Sequence, residues 1–150
     1  MKRVVVTGIG VVSCLGNNQK EVCDSLINSK SGITFSEEYK EYNLKSHVHG
    51  IPNIKLEDYV DRKVIRFMGP GSAYNYIAMT EAVKDSGLEE KDVSNISTGM
   101  IMGSGGPSIK NVILAADKTR EKTPKKMGPF VVPRTMSSTA SATLAVPFKI

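Results

Sequence analysis

The side chains best suited to nucleophilic or metal chemistry are two cysteines, Cys14 and Cys23, and two histidines, His47 and His49. The cysteines fit neither a C-x-x-C pair nor a zinc-ligand spacing. Cys14 sits in an apolar stretch and Cys23 inside an expected helix, so both read as small core or half-buried residues, a common fate of free cysteine. The histidines lie two apart in Ser-His-Val-His-Gly and would share one face of an extended segment. A metal site there would need further ligands, and none is near in sequence. They read as surface or structural residues.

Thr7-Gly8-Ile9-Gly10-Val11-Val12-Ser13 suggests a phosphate-binding turn, but the spacing argues against it. The dinucleotide fingerprint G-x-G-x-x-G needs glycine where Ser13 stands. The T-G-x-x-x-G-x-G pattern of short-chain dehydrogenases needs it where Val12 and Cys14 stand. The apolar run continues to Val12, so no helix N-terminus opens at the turn to receive a phosphate. Glycine here is expected to permit close packing instead. A nucleotide-binding dehydrogenase fragment is a disfavoured reading.

The third candidate is charge. The chain has 20 Lys and Arg against 15 Asp and Glu, and a net charge of +5. Residues 118–126 hold Lys118, Arg120, Lys122, Lys125 and Lys126 against Glu121. No basic run is interleaved with aromatics, so a nucleic-acid partner is not indicated. Patches facing an acidic partner fit the excess better, although a charge run can equally be a solvated face. No apolar run is long enough to span a bilayer. Gly8 and Gly10 cut the N-terminal apolar stretch too short for a secretory signal.

These residues need elements to position them. Residues 2–12 read as a buried strand. Asn17 or Asn18 can cap a helix, with Glu21 three residues beyond Asn18 as in a capping box. Val22, Leu26 and Ile27 give that helix an apolar face, and Ser31-Gly32 ends it. Residues 33–60 read as an irregular excursion. Residues 72–86 form a second helix, apolar on most faces and so expected to be buried on most faces, with Gly87 as C-terminal cap. Residues 88–95 are a polar link, and 98–104 a short buried strand running into Gly105-Gly106. Ile109, Val112, Ile113 and Ala116 mark a third helix. Residues 118–126 read as a charged loop, and 133–146 as a small-residue helix of mediocre propensity. The order of elements favours an α/β class.

The sequence resembles the β-ketoacyl-acyl-carrier-protein synthases, the condensing enzymes of fatty-acid synthesis, over essentially its whole length. The resemblance rests on Lys2-Arg3-Val4-Val5-Val6-Thr7-Gly8-Ile9-Gly10-Val11-Val12-Ser13, Leu15-Gly16-Asn17, Ser31-Gly32-Ile33 and Asp61-Arg62-Lys63-Val64-Ile65-Arg66-Phe67-Met68. It continues through Gly103-Ser104-Gly105-Gly106, Gly128-Pro129-Phe130-Val131-Val132 and Pro147-Phe148-Lys149-Ile150. The type I branch of bacterial dissociated systems is the most similar.

The resemblance implies the N-terminal half of a thiolase-like fold, layered αβαβα, in a cytoplasmic enzyme that pairs as a homodimer when full length. It implies condensation of an acyl thioester with malonyl-acyl-carrier protein, through a cysteine nucleophile and two histidines, with no cofactor or metal. A cysteine at a helix N-terminus has a depressed pKa and attacks readily. In the family that cysteine follows the segment matching Pro147 to Ile150, and the histidines come later. No catalytic residue is therefore expected in this chain, whose 150 residues are expected to form one synthase N-terminal domain, incomplete at its C-terminal end and inactive alone. By resemblance Lys63 and Arg66 match positions that grip the acidic acyl carrier protein, and Lys122 and Lys125 match a second such pair. Gly106 and Pro107 lie in a loop bordering the acyl pocket, where a small residue leaves the entrance open and Pro107 stiffens the loop. Pro107 can equally serve as the first residue of the third helix. A non-catalytic carrier-protein-binding fragment is the alternative reading.

Overall fold

A computed structural model describes residues 3–150, so Met1 and Lys2, where the expected first strand begins, lie outside the described residues. The chain forms two compact units. One runs through Ile54 and includes Ala78–Ser86; the other comprises Lys55–Ile77 and Gly87–Ile150.

In the first unit, helix α1 spans Gln19–Ile27 and starts as its capping residues dictate. The Asn18 side chain accepts from the backbone N–H of Glu21 at 2.9 Å. The Glu21 carboxylate reaches back to the Asn17 N–H at 2.8 Å. The first bond satisfies an N–H that the helix cannot satisfy internally, and the second ties down the residue before the cap. The excursion contains strands β1 (Thr34–Phe35) and β2 (Val48–His49), paired antiparallel with Thr34 opposite His49 and Phe35 opposite Val48. The short helix α2 (Glu37–Glu41) sits between them, with Ser36 as its N-cap.

Segment 3–12 is not the buried strand its composition suggests. It joins no sheet among the described residues, and Val4, Val5 and Val6 are exposed. Its backbone is engaged elsewhere, by the second half of helix α4 (Pro70–Ser86). The Ile9 N–H donates to the Asp85 carboxylate at 3.0 Å. The Val11 N–H donates to Glu81 at 2.9 Å, and the other oxygen of Glu81 accepts from the Gln19 N–H at 2.8 Å. Two glycines permit this approach: a Cβ on Gly8 would fall 2.1 Å from the Ala82 carbonyl oxygen, and one on Gly10 would fall 1.8 Å from that of Ala78. No larger residue fits. The glycines thus serve close packing, as expected, against a helix. Anionic side chains occupy the N–H groups that a phosphate would need.

The second unit holds every fully buried apolar residue among those described: Val60, Met68, Ala73, Ile77, Val93, Ala140 and Leu144. It is built from a 3₁₀ turn (Leu56–Asp58), α3 (Arg62–Ile65), the first half of α4, α5 (Glu90–Val93) and α6 (Ile109–Glu121). A second 3₁₀ turn (Pro124–Met127), α7 (Val131–Thr135) and α8 (Thr139–Phe148) follow. Helix α4 ends at Ser86 as its pattern predicts, and Gly87 takes the left-handed conformation, φ +68°. Only Ala73 and Ile77 of α4 are fully buried, so its apolar girdle is half covered rather than enclosed. Segment 98–104 is not in a sheet among the described residues, and Ile101 is almost wholly exposed. Helix α6 continues through Glu121, which makes Lys118 and Arg120 helical rather than part of a loop. The expected helix over 133–146 is two helices, interrupted at residues 136–138 where Met136 is extended. Among the described residues the α/β expectation therefore reduces to helices with one two-stranded sheet. A strand needs a ladder partner, and hydrophobicity alone supplies none.

The accessible surface is 11099 Å². Two independent globules of half this mass would together expose only about 9000 Å². The surplus includes Val4, Val6, Ile96, Ile101 and Val146, each more than three-quarters exposed. Apolar exposure on this scale favours association.

Three outcomes follow from these contacts. Gly10→Ala, which drives a Cβ into the α4 backbone, is expected to lower stability by at least about 2 kcal/mol, read from the urea midpoint. Hydrogen bonds from the Ile9 N–H, and secondarily from the Gln19 side chain, hold the Asp85 carboxyl below the usual carboxylate range. Its contribution is therefore full above the ordinary Asp pKa of about 3.9 and lost as the pH falls through the lower folded value. Asp85→Asn should flatten the acid limb of the stability profile; an unchanged limb would exclude this contribution. The isolated 150-residue chain should sediment as oligomers or aggregates; a monomer with a sharp cooperative melt would show a closed core.

Candidate functional site

The four cations singled out by sequence all lie in the second unit and are exposed. Lys63 belongs to α3, a single turn started by Asp61, whose carboxylate accepts from the Lys63 N–H at 2.7 Å. Arg66 is the C-cap of that turn. Lys122 caps the C-terminus of α6, where cations complement the negative end of the helix dipole. Lys125 lies in the 3₁₀ turn that follows. None of the four is in an ion pair among the described residues. Their charges face water and remain available to an external anion.

The two pairs are linked through aromatic side chains. Phe67 and Phe130 meet edge to face, 4.9 Å between centroids at 82°. The Arg66 guanidinium lies 5.2 Å from the Phe67 centroid and 5.1 Å from that of Phe130. Both distances are within cation–π range. Phe130 is the N-cap of α7, and its chain position places it five residues beyond Lys125, within about 18 Å of extended chain. Arg134 of α7 donates from Nε to the Arg66 carbonyl at 2.8 Å. Gly69 packs on the same strut, since a Cβ there would come within 3.0 Å of the Arg134 carbonyl oxygen. Phe67, Phe130 and Arg134 were not apparent as site residues from sequence, because their role lies in contacts between distant segments. The adjacent Arg66-Phe67 and the Gly-Pro-Phe at 128–130 were the available signals.

Beside Lys63 lies a pocket of about 400 Å³. Val64 and Phe67 form one wall, and Ala142, Val146 and Pro147 the other. Lys63 thus stands at the rim of an apolar depression.

Gly106 and Pro107 are exposed, and Ser108, next to Pro107, packs against Gly69 of the same strut, where a Cβ would lie 3.1 Å from the Ser108 Cβ. The Ser104 hydroxyl donates to the Gly106 carbonyl at 2.9 Å and closes a tight turn. A Cβ on Gly106 would meet nothing within 4 Å, so the loop surface is open there. Helix α6 begins at Ile109 with Ser108 as N-cap. Pro107 therefore precedes the helix and is not its first residue.

The cysteines and histidines have structural surroundings. Cys14 is half-buried, with Gly50 packed so close that a Cβ would lie 3.0 Å from its sulfur. Cys23 is exposed on α1, contrary to the expected partial burial. Helix α1 has no buried residue, so its apolar face offers the thiol no cover. His47 packs edge-on to Phe35 and His49 to Tyr39, with centroids 5.9 and 5.4 Å apart.

Comparison with known proteins agrees with this architecture. A relative from Haemophilus influenzae, 3-oxoacyl-(acyl-carrier-protein) synthase 1, is 46% identical over 151 residues, covering 100% of this chain and 37% of the relative. The chain thus spans little more than a third of that protein's length. A β-ketoacyl synthase crystal structure from Burkholderia phymatum superposes with a TM-score of 0.84 at 22% identity, covering 100% of this chain and 38% of that one. A type II PKS acyl-carrier protein in complex with its ketosynthase gives 0.77 at 18% identity, covering 99% and 39%. The chain shares the fold of these enzymes. The family described as β-ketoacyl synthase, N-terminal domain, matches residues 1–150, and the chain belongs to that family.

Proposed function

We propose that this chain is the N-terminal portion of a 3-oxoacyl-acyl-carrier-protein synthase, which elongates fatty acids by decarboxylative condensation of an acyl thioester with malonyl-acyl-carrier protein. Its share of the work is to receive the carrier protein at Lys63, Arg66, Lys122 and Lys125. The observation that carries this reading is four exposed cations without ion-pair partners among the described residues, with Phe67 and Phe130 joining the Arg66 turn to the start of α7. Each exposed pair would contribute only about 0–1 kcal/mol. Several together steer an acidic partner and make its capture sensitive to salt. The ketosynthase with a bound carrier protein among the structural neighbours supports a carrier partner.

The same reading places the loop of Gly106 and Pro107 at the border of the acyl pocket. The cysteine nucleophile and both histidines are supplied by residues outside these 150. The layered thiolase-like arrangement, pairing of subunits and a cytoplasmic location accompany the assignment. The exposed valines at positions 4–6 are consistent with segments meant for further layers, and no described helix is long and apolar enough to cross a membrane.

The test is charge reversal in the intact protein. Replacing Lys63, Arg66, Lys122 and Lys125 together by Glu should weaken carrier-protein binding at low salt by at least tenfold, about 1.4 kcal/mol. The difference from wild type should shrink as salt rises. Unchanged affinity of the quadruple variant at low salt would remove these residues from the docking surface.

A further inference from the structure

Arg66 is held differently from the three lysines. Its guanidinium contacts the rings of Phe67 and Phe130, at 5.2 and 5.1 Å from their centroids. The rings brace each other edge to face. Its Nε donates to the Lys63 carbonyl at 3.1 Å, and its own carbonyl is held by Arg134. Side chain and backbone are thus both fixed. The terminal guanidinium nitrogens make no hydrogen bond or ion pair among the described residues.

That leaves part of a planar donor fork exposed with its direction already set. Such a fork matches the two oxygens of a carboxylate, whereas a lysine ammonium is a point charge on a flexible stem. A side chain ordered before binding has less rotamer freedom to lose on binding. The two charged residues that hydrogen-bond with Arg66, Lys63 and Arg134, are both cations. The carboxylate of the same turn, Asp61, accepts from the Lys63 N–H. Arg66 therefore has both the charge and the spare donors to take a carboxylate from outside.

We infer that Phe67 and Phe130 are positioning residues that seat the Arg66 guanidinium as one oriented receptor for a carboxylate of the carrier protein, while Lys63, Lys122 and Lys125 act as unoriented charges. The inference rests on the docking role proposed above. It assigns that role's geometric specificity to a single side chain and its two-ring seat. Phe130 has a second effect. It joins the Arg66 turn to the chain that leaves the Lys125 turn, so the spacing between the two cation pairs depends on this ring contact.

The test is a double-mutant cycle in the intact protein, read as the dissociation constant for its own acyl carrier protein at low salt. Phe130→Leu should weaken binding about two- to five-fold, the range for a lost cation–π contact. Phe130→Tyr, which keeps the ring, should restore it. Arg66→Lys, which keeps the charge but loses the fork, should weaken binding nearly as much as Arg66→Ala. In the Arg66→Ala background, Phe130→Leu should have no further effect. An equal Phe130→Leu effect in both backgrounds would mean a general structural role and would overturn the inference, as would wild-type binding by Arg66→Lys. Loss of binding in Arg66→Ala with none in Phe130→Leu would overturn the seat while leaving the docking role intact. Unchanged binding in Arg66→Ala would overturn the inference and remove Arg66 from the docking surface, while the quadruple charge reversal decides the docking role itself. Arg66→Lys and Phe130→Tyr are mild changes and keep the question open to measurement if Phe130→Leu fails to fold.

Discussion

The first unit depends on one constraint, the backbone-to-backbone approach of segment 8–11 to helix α4. No apolar side chain among its described residues is fully buried, so the usual hydrophobic organisation is missing. Carboxylates on the helix take up the N–H groups of the segment instead. Hydrogen bonds to a charged acceptor are stronger than neutral ones, and the two glycines remove the side-chain bulk that would hold the chains apart. The segment is held in place by its polar backbone, with its valines exposed. This inverts the relation expected of a buried strand.

The sequence made the helices legible for physical reasons that act locally. Asn18 and Glu21 mark the start of α1 because capping is a matter of a few adjacent atoms. Gly87 marks the end of α4 because its conformation is one that other residues resist. Strands were not legible in the same way. Val4-Val5-Val6 and Met100-Ile101-Met102 have the composition of buried strands, but pairing requires a second segment that composition cannot supply. The break at 136–138 was also hidden, because its residues differ little in type from those around them.

The site was legible to a similar degree. Exposed lysines and arginines can be read from sequence as charge, and the resemblance gave them a partner. The seat of Arg66 could not be read, because Phe67 and Phe130 are 63 positions apart in the numbering. Their meeting turns a diffuse basic patch into one with a direction. Charge draws an acidic protein from a distance, while an oriented donor fork favours one arrangement once it arrives. The apolar pocket beside Lys63 adds a surface that a charged group would avoid, which further narrows how a partner can lie.

Glu81 serves two amides at once, one oxygen on Val11 and the other on Gln19. The first lies in the glycine segment and the second opens helix α1. Any opening motion that withdraws this carboxylate releases both. Amide protons at positions 11 and 19 therefore share one gate for exchange with solvent, although they belong to different elements and have no hydrogen bond to each other. Removing that single carboxylate, as in Glu81→Ala, would expose the two sites together, so a pair of resonances would report on the whole junction.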